Sequence, residues 1–251
     1  MKAAVDGGAL PLPPADLLSD ASLFIDFDGT LVDLIDQPDQ VVADDALIAL
    51  LARLLDRRAD GLALVSGRSI EQLDRMLGPI AQRIALSGSH GCEHRWNGIL
   101  AHPVRPAALD DVEDRLRGFA GAHPGVVVEP KSFGVALHYR HAPAAEIAAH
   151  EQARLLGEMF GLAVQPGKMV VELRVPGGDK GAAVRRMMGR PIMAGTRPIF
   201  IGDDWTDEAG FQAASDLGGF GVLVGPLRET AALYGLPDSA AVRAWLGGEG
   251  A

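Results

Sequence analysis

Cysteine is almost absent from this chain of 251 residues: Cys92 is the only one, so no disulfide can close within it and no thiolate metal site can assemble. Basic residues are in deficit. The 23 lysines and arginines stand against 33 aspartates and glutamates, a net charge of -10, which disfavours nucleic acid or an anionic membrane as partner. An anionic substrate would need a local cationic pocket or a metal. No apolar run approaches membrane-spanning length, Met1 to Ser19 hold no sustained apolar segment of the signal-peptide kind, and no internal repeat is visible. A soluble protein of a reducing, cytoplasmic compartment is expected. What the chain does have is 48% hydrophobic residues, enough for an ordinary globular core, and a length that suits one large domain or two of modest size.

Residues 1–20 contain Gly7-Gly8 and Pro11, Pro13 and Pro14, a loosely ordered lead-in with a short helix around Ala15 to Leu18. Leu23, Phe24, Ile25 and Phe27 read as a strand buried in a sheet core. Asp44 can cap a helix on which Leu47, Leu50, Leu51, Leu54 and Leu55 recur at helical spacing. A strand over 62–65, a helix over 70–77 and a strand over 84–86 continue the alternation, which predicts a doubly wound parallel α/β sheet. The texture changes from about 105 to 176. There the pattern is a helix over 107–120, strands over 126–129 and 133–139, a helix over 144–160, and strands over 162–165 and 169–175. Turns such as Gln165-Pro166-Gly167-Lys168 suggest hairpins, and hence a smaller α+β domain inserted in the first. The parallel pattern resumes with a helix over 180–188, a strand over 198–202, a helix over 207–214 and a final strand over 221–224.

Asp26 and Asp28 lie where the first strand runs out into the Gly29-Thr30 turn. An unpaired carboxylate there is costly, ligands of open α/β sheets collect beyond the carboxyl ends of the strands, and a period of two points both side chains the same way. One carboxylate could attack a substrate while the other moves a proton. The plain alternative is a strand end with an Asp-Gly turn. A second apolar strand, Ile199-Phe200-Ile201-Gly202, also runs into acid, at Asp203, Asp204, Asp207 and Glu208. If both strands share a sheet, Asp26, Asp28, Asp203, Asp204 and Asp207 converge at one edge and call for a cation. Oxygen-only ligands suit Mg²⁺. Alone, the second segment is also an adequate helix start, with Asp204 or Thr206 as cap. Ser66, in Ser66-Gly67-Arg68, and Lys180, in Gly178-Asp179-Lys180-Gly181, stand near helix starts that favour an anion. Singly they read as a cap and a solvated lysine; in order with the acidic strands they would build a metal and phosphate pocket.

These segments resemble the four motifs of the haloacid dehalogenase superfamily of aspartyl phosphotransferases, and the insertion lies where the superfamily carries its larger cap domains. Three further stretches, Gly88 to Arg95, Lys131 to Arg140 and Gly167 to Arg174, are similar to the pattern of the trehalose-6-phosphate phosphatases within it. The resemblance spans roughly residues 22 to 246. It implies a Rossmann-like core over 21–104 and 177–251, a cap over 105–176, and Mg²⁺-dependent hydrolysis of trehalose 6-phosphate through an aspartyl phosphate. On that likeness Asp26 is the nucleophile, Asp28 the acid and base, and Ser66 and Lys180 offset charge on the phosphoryl group. Mg²⁺ would be held by Asp26, the main-chain carbonyl of Asp28 and Asp203, with Asp207 and Asp204 bracing its waters.

Sugar hydroxyls need carboxylates, amides and cations. Lys168 and Glu172, four residues apart and so on one face, are the first candidates, followed by Gly67, Arg68, His90, Glu93, Lys131 and Arg140. A solvated ion-pair face is the other reading of the cap charges. The expected partner is a small sugar phosphate, with no nucleic acid and no membrane. Rival functions are a phosphatase of another sugar phosphate (sucrose 6-phosphate, a mannosyl or hexose phosphate), a phosphomutase of similar build, and a silent sugar-phosphate sensor. Intact Asp26, Asp28, Lys180 and Asp203 argue against the last, since a binder needs neither a nucleophile nor an acid.

Overall fold

The computed structural model describes residues 9–34, 41–57, 61–167, 169–191 and 193–248. The chain divides into a larger unit, built from the residues up to Ala101 and from Asp179 onward, and a smaller one from His102 to Gly178. The larger unit opens with β1 (Ala21–Ile25), α1 (Asp45–Arg57), β2 (Leu62–Val65), α2 (Ile70–Leu77), β3 (Ala85–Gly88), β4 (Glu93–Trp96) and β5 (Ile99–Ala101). The smaller unit holds α3 (Ala108–Ala122), β6 (Val127–Lys131), β7 (Gly134–His138), α4 (Glu146–Phe160), β8 (Ala163–Gly167) and β9 (Val170–Arg174). The chain returns to the larger unit with α5 (Lys180–Met188), β10 (Arg197–Gly202), α6 (Glu208–Asp216), β11 (Phe220–Val224), β12 (Tyr234–Leu236) and α7 (Ser239–Gly247). A 3-10 turn covers Ala15–Leu18, as expected; residues 1–8, with Gly7-Gly8, lie outside the described residues.

In the larger unit the described strands form one sheet in the order β12-β11-β10-β1-β2-β3-β4-β5. It is parallel from β12 to β3 and antiparallel at β4 and β5. Helices cover both faces, which is why its central strands are unbroken apolar runs. Successive side chains of β1 go opposite ways. Leu23 and Ile25 pack with Leu47, Leu51 and Leu54 of α1, Leu73 of α2 and Val242 of α7. Phe24 packs with Ala183, Val184 and Met187 of α5 and Phe211 of α6. The α1 leucines are all buried, each worth about 1.5–3 kcal/mol against exposure, and Asp44 accepts from Leu47 N at 2.7 Å.

Several elements differ from those expected. The antiparallel hairpin β4–β5, turning at Asn97 (φ 49) and Gly98 (φ 75), extends the sheet where no strand was anticipated. After β11, β12 pairs parallel with it and α7 follows, so β11 is not the last strand. Of the turn proposed at 165–168, residues 165–167 are strand: Gln165, Pro166 and Gly167 pair with Glu172, Val171 and Val170; Lys168 lies outside the described residues. A proline is tolerated there because β8 is the edge of the order β6-β7-β9-β8, with one side unpaired. Just before β9, Met169 has φ 62.

The smaller unit is an antiparallel sheet with α3 and α4 on one face. Val135, Leu137, Val171 and Leu173 point into that core with Leu109, Val112, Leu116, Ala149, Ala153 and Leu156. The two-residue period therefore puts Ala136, His138, Glu172 and Arg174 on the opposite face, where their neighbours across the ladder include Glu129 and Gln165. That face is polar.

Candidate active site

Parallel pairing in register brings the carboxyl ends of β10, β1 and β2 side by side: Ile25 lies opposite Ile201 and Leu64, and Asp26 N donates to Ile201 O at 2.9 Å. The residues that follow these strands are Asp26, Asp203 and Ser66. Two glycines let the acidic loops close on one another. Gly29 has φ +78, and a Cβ there would sit 2.2 Å from Asp203 Oδ2. At Gly202 a Cβ would lie 2.3 Å from Asp207 Cγ. The Thr30 hydroxyl reaches Asp203 Oδ1 at 3.4 Å.

Carboxylate oxygens of Asp26, Asp203 and Asp207 lie within 4.8 Å of one another. Among them is the ammonium of Lys180, the first residue of α5, 3.1 Å from Asp26 Oδ1 and 2.6 Å from Asp207 Oδ1. The other Asp207 oxygen accepts from Asp204 N at 2.9 Å. Burial alone would lower the Lys180 pKa, but Asp207 and Asp26 outweigh it and hold the ammonium above the ordinary lysine value. One ammonium does not satisfy three acids. Burial pushes Asp26 well up against the pull of Lys180, with Asp207, Asp203 and Asp28 adding to the rise. Asp207 rises by burial despite Lys180. Asp203 is pushed up to about 7 by burial and then by Asp207 and Asp204. With all three acids ionised the cluster would outweigh Lys180 by two negative charges, which one divalent cation would offset, and the upward shifts are the cost of gathering these acids without one. The donor set of hard carboxylate oxygens suits such a cation.

Asp28 stands apart from that cluster. Arg68 holds it by a bidentate fork, Nε to Oδ2 and Nη2 to Oδ1, both at 2.7 Å. Arg68, expected at the substrate, therefore orients the second aspartate. Ser66 is buried, and its hydroxyl accepts from Arg68 N at 3.1 Å. It does not start the helix as anticipated: Ser69 caps α2, in a reciprocal pair with Gln72. Asp204 is exposed and accepts from Trp205 N at the start of the 3-10 turn Trp205–Asp207, so the capping reading holds for its side chain. His90 adopts φ 53 and packs its ring beside Gly67, where a Cβ would meet His90 Cε1 at 2.6 Å. Glu93 is buried and accepts from the Ser89 hydroxyl.

In the smaller unit Lys131 Nζ meets Glu172 Oε2 at 2.6 Å, and the diagonal between them passes over Gly134, which has no side chain to intervene. On the same polar face His138 meets Glu129 at 2.8 Å and Arg174 donates to Gln165 at 2.8 Å. Arg140 lies beyond the end of β7 and is exposed. Lys168 lies outside the described residues.

The family described as Trehalose-phosphatase matches residues 24–239. The chain belongs to the trehalose-phosphatase family. It is 39% identical over 229 residues to a trehalose-6-phosphate phosphatase of Escherichia coli (strain K12), covering 89% of this chain and 84% of that one. To a probable trehalose-phosphate phosphatase of Sinorhizobium fredii it is 36% identical over 230 residues, 90% and 86% of the two chains. The crystal structure of a trehalose-6-phosphate phosphatase related protein superimposes with a TM-score of 0.76 at 30% identity, covering 89% of this chain and 94% of that one. The fold is thus the α/β haloacid dehalogenase-like core with a cap. Phosphatases of this kind depend on a metal, and the acidic cluster fits one.

In this trehalose-phosphatase family member the structure brings together Asp26, Asp203, Asp207 and Lys180, and separately Asp28 with Arg68. The latter pairing escaped the sequence, as did the buried Thr30 and the ties of Arg228 to the loop after β10. Thr30 was signalled by its place in the Asp-Gly-Thr turn. Arg228 had no local signal, since its partner Glu208 is 20 positions away. Among the described residues no helix is long and apolar enough to cross a membrane.

Proposed function

We propose that the chain hydrolyses trehalose 6-phosphate to trehalose and inorganic phosphate, with Mg²⁺ and through an aspartyl phosphate on Asp26. The observation that carries this reading is the buried Asp26 carboxylate, tied to Lys180 and flanked by Asp203 and Asp207 at the carboxyl ends of β1 and β10. An Asp26 oxygen forms the new bond to phosphorus as the bond from phosphorus to the sugar oxygen breaks. Asp28 gives a proton to the departing sugar oxygen. Water then attacks the phosphorus of the acyl phosphate, Asp28 takes its proton, and phosphate leaves with the Asp26 carboxylate restored. Arg68 keeps Asp28 aimed between turnovers. Ser66 and Lys180 supply a hydroxyl and a positive charge for the phosphoryl oxygens. Asp26, the Asp28 carbonyl and Asp203 would hold Mg²⁺, with Asp207 bracing from its bonds to Lys180 and Asp204 N. When bound it offsets charge on the transferring group.

Sugar recognition is assigned to the polar sheet face of the smaller unit, with Glu172 and Lys131 at its centre and Lys168 and Arg140 as further contacts. Supporting it is the chemistry of that face: acids, amides and cations in a row suit hydroxyls. The test is phosphate release from trehalose 6-phosphate beside sucrose 6-phosphate and glucose 6-phosphate, with and without Mg²⁺. A preference for trehalose 6-phosphate that needs the cation is expected. Equal rates on all three would sink the assignment of the sugar, and phosphate passed to another sugar hydroxyl without release would make the protein a mutase.

A further inference from the structure

The loop that carries Asp203 and Asp207 has little regular structure to hold it. β10 ends at Gly202, α6 begins at Glu208, and only the single 3-10 turn Trp205–Asp207 lies between. Carboxylates gathered at one point repel one another, so the loop will drift outward unless its main chain is fastened from behind. Arg228, on the segment after β11, is placed to do this. Its Nη2 donates to the carbonyls of Asp204 at 2.7 Å and Asp203 at 3.5 Å. Its Nη1 donates to Glu229 O at 3.2 Å and meets the Glu208 carboxylate. The other Glu208 oxygen accepts from Ala231 N at 2.8 Å. The guanidinium carbon lies 4.7 Å from the centre of the Trp205 ring.

We infer that Arg228 is a positioning residue for the cation site: by fastening the main-chain carbonyls of Asp203 and Asp204 and the carboxylate of Glu208 it sets how tightly the acidic cluster binds a divalent cation. The inference rests on the metal-dependent reading above. The planar fork of arginine can serve three carbonyls and a carboxylate while stacking on an indole, whereas lysine offers a single point of charge. Arg228 does not touch the cluster oxygens, and acts only through the loop. Removal of such an outer support costs about 10–100-fold in metal affinity.

The experiment uses the full chain freed of metal with a chelator, as wild type, Arg228→Ala and Arg228→Lys. Mg²⁺ and Mn²⁺ are titrated by calorimetry, and the melting temperature is followed with and without metal. Arg228→Ala is expected to bind each cation about 10–100-fold more weakly, with a smaller metal-induced rise in melting temperature. The metal needed for half-maximal phosphate release should increase by the same factor and be largely made good by excess metal. Arg228→Lys should fall well short of wild type, and it decides the matter if the alanine variant does not fold. Unchanged affinity in either folded variant, or a lowered metal-free melting temperature with unchanged affinity, overturns the inference and reduces Arg228 to a stabilising contact. A wild-type protein that binds neither cation overturns the metal reading itself, a result distinct from the others.

Discussion

Gly29→Ala separates backbone strain from displacement of a cluster carboxylate. At φ +78 an alanine pays the left-handed penalty of about 1–2 kcal/mol. For a protein of this size that is a fall in melting temperature of about 2–8 °C. The added methyl would lie 2.2 Å from Asp203 Oδ2 and 2.4 Å from its Cγ, against an optimal approach of about 3.5 Å. Asp203 must therefore retreat by roughly an ångström, and its partly exposed side chain gives it room to do so without breaking the fold. A displacement of that size in a catalytic constellation costs about 100-fold in rate. Activity should therefore fall far more than stability. Gly202→Ala is the contrasting case, since its methyl would meet Asp207 Cγ at 2.3 Å, and Asp207 is fully buried and locked by Lys180 and Asp204 N. With no retreat open, overpacking of about 1–3 kcal/mol should appear mainly as lost stability. Thermal melts and steady-state phosphate release on purified variants read both quantities. Gly29→Ala with turnover within about threefold of wild type would refute the claim that the position of Asp203 limits the chemistry.

Asp26→Asn should lower turnover by about four orders of magnitude or more while the protein remains folded by circular dichroism; residual turnover of a few per cent would rule out the covalent route. Glu172→Ala should depress hydrolysis of trehalose 6-phosphate far more than that of a small aryl phosphate, because it removes a proposed sugar contact and leaves the transferred group alone; equal loss on both substrates, or no loss on either, returns Glu172 to a structural role. Burial, with Arg186 and Arg190 adding, pushes the His94 imidazole down from 6.5 to about 4. Below about pH 6.5 the unfolded chain takes up a proton that the folded one refuses, so stability falls as pH drops toward 4, by at most about 1.4 kcal/mol per unit. His94→Gln should flatten that stretch of the melting-temperature profile, and an unaltered slope would show that other groups govern acid unfolding.

Where a segment's own pattern carried its structure, the sequence was enough. The leucines of α1 and the run of β2 state their period within a dozen residues, and parallel register then puts Asp26 beside Asp203 without further information. The hairpin β4–β5 was hidden by its composition. Glu93, His94 and Arg95 look like surface residues, yet all three are buried, Arg95 by a fork onto Asp74 at 2.6 and 2.7 Å. The Asn97-Gly98 turn was the legible clue. In α7 the spacing of Val242, Trp245 and Leu246 behind the cap Asp238 was equally readable. The partners of Arg68 and Arg228 were not, because each is chosen by loops that meet only after the sheet has formed.

The chain passes between its two units twice, once after Ala101 and once before Asp179, and each unit has a hydrophobic cluster made of its own residues alone. Such an insert can drift, or be exchanged, while the residues that make and break bonds to phosphorus stay under separate constraint. With sugar recognition on the sheet of the insert, as proposed, altering what the catalyst accepts would then require no compromise with how it works, and a lineage could explore new sugars there at little risk to the chemistry. The same partition offers an engineer two defined splice points, at 101/102 and 178/179, for transplanting one pocket's preferences onto another's reactivity.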